Sequence, residues 1–202
     1  MSERNVTEEA TYYKAIEKSR KEPPYLFPQH PTEMPLLKGT DPKNSILFSS
    51  RSDVWNTPPE IVAKVVSVMG SIDLDPCWNS ESSVQAGTVY SKKENGLIHP
   101  WGKRVFMNPP YGREVVLWVD KILEEYYASR TKEAIVLIPA RTDTKWFHKF
   151  REFPVCFIKG RLRFSGSKNS ATFPSAVFYL GARKERFADV FRELGIVYMR
   201  WM

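Results

Sequence analysis

The stretch Val105-Phe106-Met107-Asn108-Pro109-Pro110-Tyr111 decides how the chain is read. Three apolar residues predict a short buried strand, and a helix-like pattern follows over residues 113–128, so the strand ends in a rigid polar corner. Two successive prolines fix the backbone and remove two amide donors, which leaves the neighbouring carbonyls free to point into a cleft. The Asn108 side-chain oxygen beside the Pro109 carbonyl makes a pair of acceptors suited to an NH2 group on a planar ring. Tyr111 offers a flat face for that ring. The same four residues also describe an ordinary Pro-Pro turn with a packed tyrosine, so the surrounding chain has to decide.

Upstream, Thr57-Pro58-Pro59-Glu60 reads as a helix start, with Thr57 as N-cap, proline in the first turn and glutamate at the third position. Ile61, Val62, Val65, Val66 and Met69 supply its apolar face, and Gly70 stops it. The first-turn amides and the Thr57 hydroxyl suit a carboxylate, because helix N-termini favour negative charge; alternatively Thr57 only caps its helix. Ile72-Asp73-Leu74-Asp75 then reads as a short strand ending in an acid, continued by Pro76-Cys77. Asp75 at a strand end can accept from an ammonium group or a ribose hydroxyl, whereas Asp73 can merely cap a loop. Residues 79–104 show little regular structure beyond Thr88-Val89-Tyr90, and a long structured loop in a compact domain is usually functional.

Downstream, strand 134–139, a short helix 144–151 and strand 155–158 precede two strands near 162–165 and 175–180, then helix 184–194 and a last strand 196–201. Strands alternating with helices predict an α/β fold, a mostly parallel twisted sheet covered on both faces. Ligands in such sheets sit at the carboxyl ends of the strands, where Asp75, Asn108 and Pro139-Ala140-Arg141 all fall.

The 202 residues suit one domain with an appendage, and 42% hydrophobic content supplies a core. Residues 1–45 are expected to form an N-terminal helix, over 5–21, and a proline-rich arm, with the catalytic domain in 46–202. Lys and Arg number 30 against 23 acids, a net charge of +7 that favours a polyanionic partner. Cys77 and Cys156 are the only cysteines and form no Cys-x-x-Cys pair, which argues against a disulfide framework or a structural zinc site. No apolar stretch approaches the roughly 20 residues of a membrane span, so a soluble cytoplasmic protein is expected. Monomer and dimer both remain open.

Taken together the motifs resemble those of the phage-type DNA N6-adenine methyltransferases. The resemblance rests on Trp55-Asn56-Thr57-Pro58, Leu74-Asp75-Pro76-Cys77, Gly96-Leu97, Trp101, Asn108-Pro109-Pro110-Tyr111, Leu137-Ile138-Pro139-Ala140, Gly160-Arg161-Leu162-Arg163-Phe164 and Phe173-Pro174-Ser175, in that order over about residues 50–180. It implies a Rossmann-like methyltransferase fold with an antiparallel hairpin at one sheet edge, and S-adenosylmethionine as cofactor. It implies DNA as partner and a cytoplasmic setting in a prokaryotic host, with a phage or prophage origin. Trp55, Thr57, Pro58, Asp75, Pro76, Cys77, Asn95 and Asn108 would then line the cofactor, and Asn108, Pro109, Pro110 and Tyr111 would act on the target base. Tyr111, Arg161, Arg163, Phe164, Lys168 and Phe173 would meet the DNA. Two departures stand out: no Gly-x-Gly loop follows the first strand, and Asn95 occupies a place where related sequences often carry aspartate.

The sulfonium of such a cofactor is already a good methyl donor, so the protein must chiefly position and polarise the amine. Acceptors at Asn108 and Pro109 would draw the adenine NH2 toward tetrahedral geometry and stabilise the charge that develops on nitrogen. A base inside a duplex cannot reach such a corner and would have to be extruded, stacking on Tyr111 with Phe164 or Phe173 opposite. The same corner also suits RNA adenine or a protein glutamine amide, and an inactive DNA-binding relative is the reading from outside enzymology.

Overall fold

The computed structural model describes residues 55–166 and 170–199. The predicted helix 5–21, the proline-rich arm within residues 1–45 and Lys168 lie outside the described residues. Strands β1 (Ile72–Asp75), β2 (Ala86–Val89), β3 (Arg104–Met107), β4 (Glu133–Pro139), β5 (Val155–Ile158), β6 (Ser175–Leu180) and β7 (Gly195–Tyr198) form one sheet in the order β2-β1-β3-β4-β6-β5-β7. The first four strands of that order pair in parallel. Strand β6 is antiparallel to both β4 and β5, and β7 is antiparallel to β5. Only β6 and β7 therefore oppose the common direction, and the antiparallel pairings are confined to one side of a mostly parallel sheet, an arrangement consistent with a Rossmann-like α/β fold.

Among the described residues four helices cover the sheet: α1 (Pro59–Met69), α2 (Val115–Tyr127), α3 (Lys145–His148) and α4 (Lys184–Phe191). After Glu133, strand β4 is a continuous apolar run because both of its faces are covered. Ile135 and Leu137 pack with Ile61 and Val65 of α1 and Phe187 and Phe191 of α4. Ala134, Val136 and Ile138 pack with Trp118, Val119 and Ile122 of α2 and Phe147 of α3. Each fully buried Val, Leu or Ile contributes about 1.5–3 kcal/mol, so the centre of the sheet is its most rigid part.

Helix α1 ends where Gly70, at φ 82, donates its amide to the Val66 carbonyl at 2.7 Å. Its last turn carries no basic residue of its own. Arginines from elsewhere complement the exposed carbonyls instead: Arg104 and Arg183 donate to Met69 O at 3.4 and 3.1 Å, and Arg186 donates to Ser67 O. Arg104 also grips Asp73 through both ends of its fork, at 2.7 and 3.1 Å, and Arg183 pairs with Glu133. This network sits at the amino ends of β3 and β4, so Asp73 is structural.

One predicted strand is replaced. Leu162 and Phe164 are buried and Arg161 and Arg163 exposed, an alternation that reads as strand 162–165. The segment instead makes one isolated antiparallel bridge, between Ser165 and Asn56. Both neighbours of β6 are already occupied by β4 and β5, and β5 has β6 and β7, so this side of the sheet offers no free interior ladder. Leu162 and Phe164 pack on the core beneath α1 rather than extending the sheet.

Candidate active site

Asn108 follows the last residue of β3, at the carboxyl end of a strand that lies between β1 and β4. Its carboxamide is held at both ends. Nδ2 donates to the Trp55 carbonyl at 2.6 Å and to Thr57 Oγ1 at 2.9 Å, while Oδ1 accepts from the Tyr111 hydroxyl at 2.6 Å. An amide oxygen has two lone pairs, so Oδ1 keeps one for a further donor. Pro109 is buried, and no described donor engages its carbonyl. The corner thus presents one acceptor, Asn108 Oδ1, held in place before any ligand arrives, and next to it in the chain a carbonyl that no described donor engages.

The aromatic residues expected around this corner do come together. The Trp55 ring lies 5.2 Å from both Phe164 and Phe173, and Tyr111 meets Phe164 at 6.0 Å and Phe173 at 5.4 Å, edge to face. Phe164 is only 1% exposed, so it forms the floor of the cluster, whereas Tyr111 and Phe173 are half-buried and form its outer part. Burial pushes the Tyr111 phenol well above its ordinary pKa, which keeps it a neutral hydroxyl able to donate to Asn108. Trp55, grouped with the cofactor residues on sequence grounds, belongs by its ring to this cluster and by its carbonyl to Asn108.

Thr57 differs from its expected role as N-cap. The N-cap of α1 is Pro58, with no side-chain cap, and the hydroxyl oxygen of Thr57, 2% exposed, accepts from Asn108 Nδ2. The two prolines explain the change. Neither has an amide hydrogen, and the Ile61 amide is already bonded to the Pro58 carbonyl at 3.0 Å, so a side-chain cap has little left to satisfy. At most the Glu60 amide remains for an anion at this helix start.

Asp75 closes β1 and is 4% exposed. One described donor reaches its side chain, the Cys77 amide at 2.9 Å. Desolvation outweighs that bond and pushes the carboxyl up to about 7. Burial and the nearby Asp75 charge raise the Cys77 thiol as well, so it stays protonated. A buried acid with a single backbone donor is under-satisfied, unlike Asp73, whose arginine lowers its pKa.

Pro76 is buried under the loop that carries Asn95, Gly96 and Leu97. A Cβ on Gly96 would overlap the Pro76 carbonyl oxygen, and Trp101 Nε1 donates to the Gly96 carbonyl at 2.8 Å, clamping the loop against the end of β1. Asn95 takes a left-handed conformation, φ 57 and ψ 85, and its side-chain oxygen accepts from the Leu97 amide at 3.3 Å. Asparagine tolerates that conformation well, which accounts for this residue type here. Its side-chain oxygen caps the 3-10 turn Gly96–Ile98.

Two polar residues escaped the sequence reading. Asn56 is buried between Trp55 and Thr57, and Ser175, opposite Pro139 at the start of β6, has a buried hydroxyl with no partner among the described residues. Both lie inside quoted motifs, yet a polar residue between two informative neighbours gives no periodic signal of its own. Arg161 and Arg163 are exposed on the segment whose Phe164 floors the aromatic cluster. Among the described residues no helix is long and apolar enough to cross a membrane.

Over 117 residues the chain is 32% identical to the DNA N-6-adenine-methyltransferase of Escherichia phage T1, an alignment covering 57% of this chain and 45% of that protein. The chain therefore spans less than half the length of that relative. Residues 44–178 match the family described as DNA N-6-adenine-methyltransferase (Dam), a stretch that holds the Asn108 corner, the buried Asp75 and the clamp on Pro76. Because that match takes in well over half of the sequence and every element of the site, the chain belongs to the DNA N-6-adenine-methyltransferase (Dam) family.

Proposed function

We propose that the chain transfers a methyl group from S-adenosylmethionine to the N6 amino group of adenine in DNA. The observation that carries this reading is the Asn108 carboxamide, locked by Trp55, Thr57 and Tyr111 with an Oδ1 lone pair to spare, and followed in the chain by a Pro109 carbonyl that no described donor engages. Two acceptors match the two hydrogens of an amine whose lone pair is delocalised into its ring. Hydrogen bonds to both would draw the nitrogen toward tetrahedral geometry and stabilise its developing positive charge, without reorganisation at the moment of reaction.

The residues at the end of β1 fit the cofactor. Asp75 is an acceptor held in a dry setting with too few donors, and the ammonium and ribose hydroxyls of S-adenosylmethionine are donors that would supply them. Pro76, held by Gly96 and Trp101, would form the adjoining wall, with Cys77 beside it. When bound, the cofactor supplies an activated methyl group. The chain's own contribution is to align the amine with that methyl and exclude water around it, which accounts for much of the remaining acceleration as proximity. The target adenine would leave the duplex to reach the corner, against Tyr111 and Phe173, with Arg161 and Arg163 on neighbouring phosphates.

The test is methyl transfer from labelled S-adenosylmethionine to duplex DNA, RNA and protein in parallel, followed by digestion of the DNA to nucleosides. Label in N6-methyldeoxyadenosine is the expected result. Label confined to RNA or to protein glutamine would replace the substrate, and cofactor binding with no transfer to any acceptor would make the chain an inactive relative.

A further inference from the structure

The two groups that orient the Nδ2 end of Asn108, the Trp55 carbonyl and the Thr57 hydroxyl, belong to an irregular segment in front of α1 that has no strand ladder of its own. Asn56 stands between them and is 8% exposed. Its side-chain oxygen accepts from Asn79 Nδ2 at 2.6 Å, and its Nδ2 donates to Glu81 Oε2 at 3.2 Å. Asn79 in turn accepts from the Glu81 amide at 2.9 Å, closing a small ring of bonds. On the other side the Asn56 carbonyl accepts from the Ser165 amide at 2.8 Å, and the Thr57 carbonyl accepts from Ser83 Oγ at 2.9 Å.

We propose that Asn56 is a positioning residue for methyl transfer, whose bonds to Asn79, Glu81 and Ser165 fix the Trp55 and Thr57 groups that orient the Asn108 carboxamide. The inference rests on the proposed methyltransferase reading of the Asn108 corner. No described hydrogen bond of Asn56 reaches the acceptor pair or Asp75; it acts through the backbone on either side of it. A displacement of about 1 Å in a reacting group costs on the order of a hundredfold in rate, so a small release of this segment is enough to matter. The same tie links the corner to the segment bearing Arg161 and Arg163, through Ser165.

Asn56→Asp tests this with little change of shape. It removes the donor to Glu81 and sets two carboxyls against each other. Both are ionised at neutral pH and repel, which loosens the tie of Asn56 to Glu81. The kcat of the variant at neutral pH should be about tenfold or more below that of wild type, with KM for S-adenosylmethionine within about threefold of wild type. Adding Glu81→Gln returns a donor to the pair and should restore kcat. A wild-type kcat in Asn56→Asp, or no recovery in the double variant, overturns the proposal.

The Asn108 side-chain amide resonances of the protein labelled with 15N-asparagine give a readout that does not depend on activity. They should move in Asn56→Asp and return in the double variant, and unmoved resonances count against the proposal. If wild type methylates nothing, the proposed function fails while these resonances still judge Asn56. Should circular dichroism show Asn56→Asp unfolded, Asn79→Ala and Glu81→Ala remove the same bonds from an outer loop. Lowered kcat in both supports the proposal, and wild-type kcat in both overturns it.

Discussion

The Tyr111 hydroxyl donates to Asn108 Oδ1 across 2.6 Å, so the last residue of the corner holds the first in place. Tyr111→Phe keeps the ring and its edge contacts with Phe164 and Phe173 but releases that oxygen. Losing one neutral hydrogen bond, about 1 kcal/mol, should slow single-turnover methyl transfer roughly fivefold. Asn108→Ala removes the acceptor itself and should cost about a hundredfold with cofactor affinity retained. If the tyrosine served only as a stacking surface, the phenylalanine variant would react at the wild-type rate.

Asp75 makes stability depend on pH in a direction opposite to that of a paired acid. Its carboxyl is raised from 3.8 to about 7 in the folded protein. Between about pH 4 and about pH 7 the folded protein keeps a proton that the unfolded chain has released, so stability falls as pH rises through that window. Asp75→Asn, uncharged at every pH, should flatten the fall by an amount on the order of a few kcal/mol in urea unfolding of the cofactor-free protein. The same variant should bind S-adenosylmethionine more weakly in calorimetry. An equal decline in wild type and variant would assign the pH dependence to other groups.

The positions of the sheet and of its strand ends were legible because each is written locally: the apolar run of β4, the stop at Gly70, the proline pair after Asn108. What was not legible depends on partners far along the chain. Whether the Thr57 hydroxyl caps a helix or meets Asn108 is decided by a residue 51 positions away. Residues 162–165 carry a strand's alternation, and only the occupied neighbours of β5 and β6 show that no place is left for them. Asn95 looked like an altered ligand; its left-handed backbone, invisible to pattern reading, supplies a conformational reason for asparagine.

Gly96→Ala probes the clamp at the end of β1. The added methyl would meet the Pro76 carbonyl, which the Trp101 bond prevents from separating easily. Overpacking of this kind costs about 1–3 kcal/mol, so the melting temperature should drop by several degrees. Cofactor affinity should fall with it, since Pro76 adjoins Asp75. A variant that loses stability but binds the cofactor as before would separate the clamp from the cofactor site.

The last expectation concerns the side proposed to face DNA. Leu162 and Phe164 anchor their segment in the core, which turns Arg161 and Arg163 outward next to the aromatic cluster. If these arginines meet phosphates flanking an extruded base, duplex affinity must fall steeply with salt, because each neutralised phosphate releases condensed counterions and adds a slope near −0.9 on a log–log plot. Replacing both with alanine should reduce the slope by about 0.9 for each arginine that makes such a contact. Cofactor affinity should not change, since Asp75 and Pro76 lie at the end of β1 and share no bond with this segment. A salt titration of duplex binding for wild type and double variant reads both quantities. Equal slopes would remove residues 161–163 from the interface and leave the net charge of +7 to act through other basic residues.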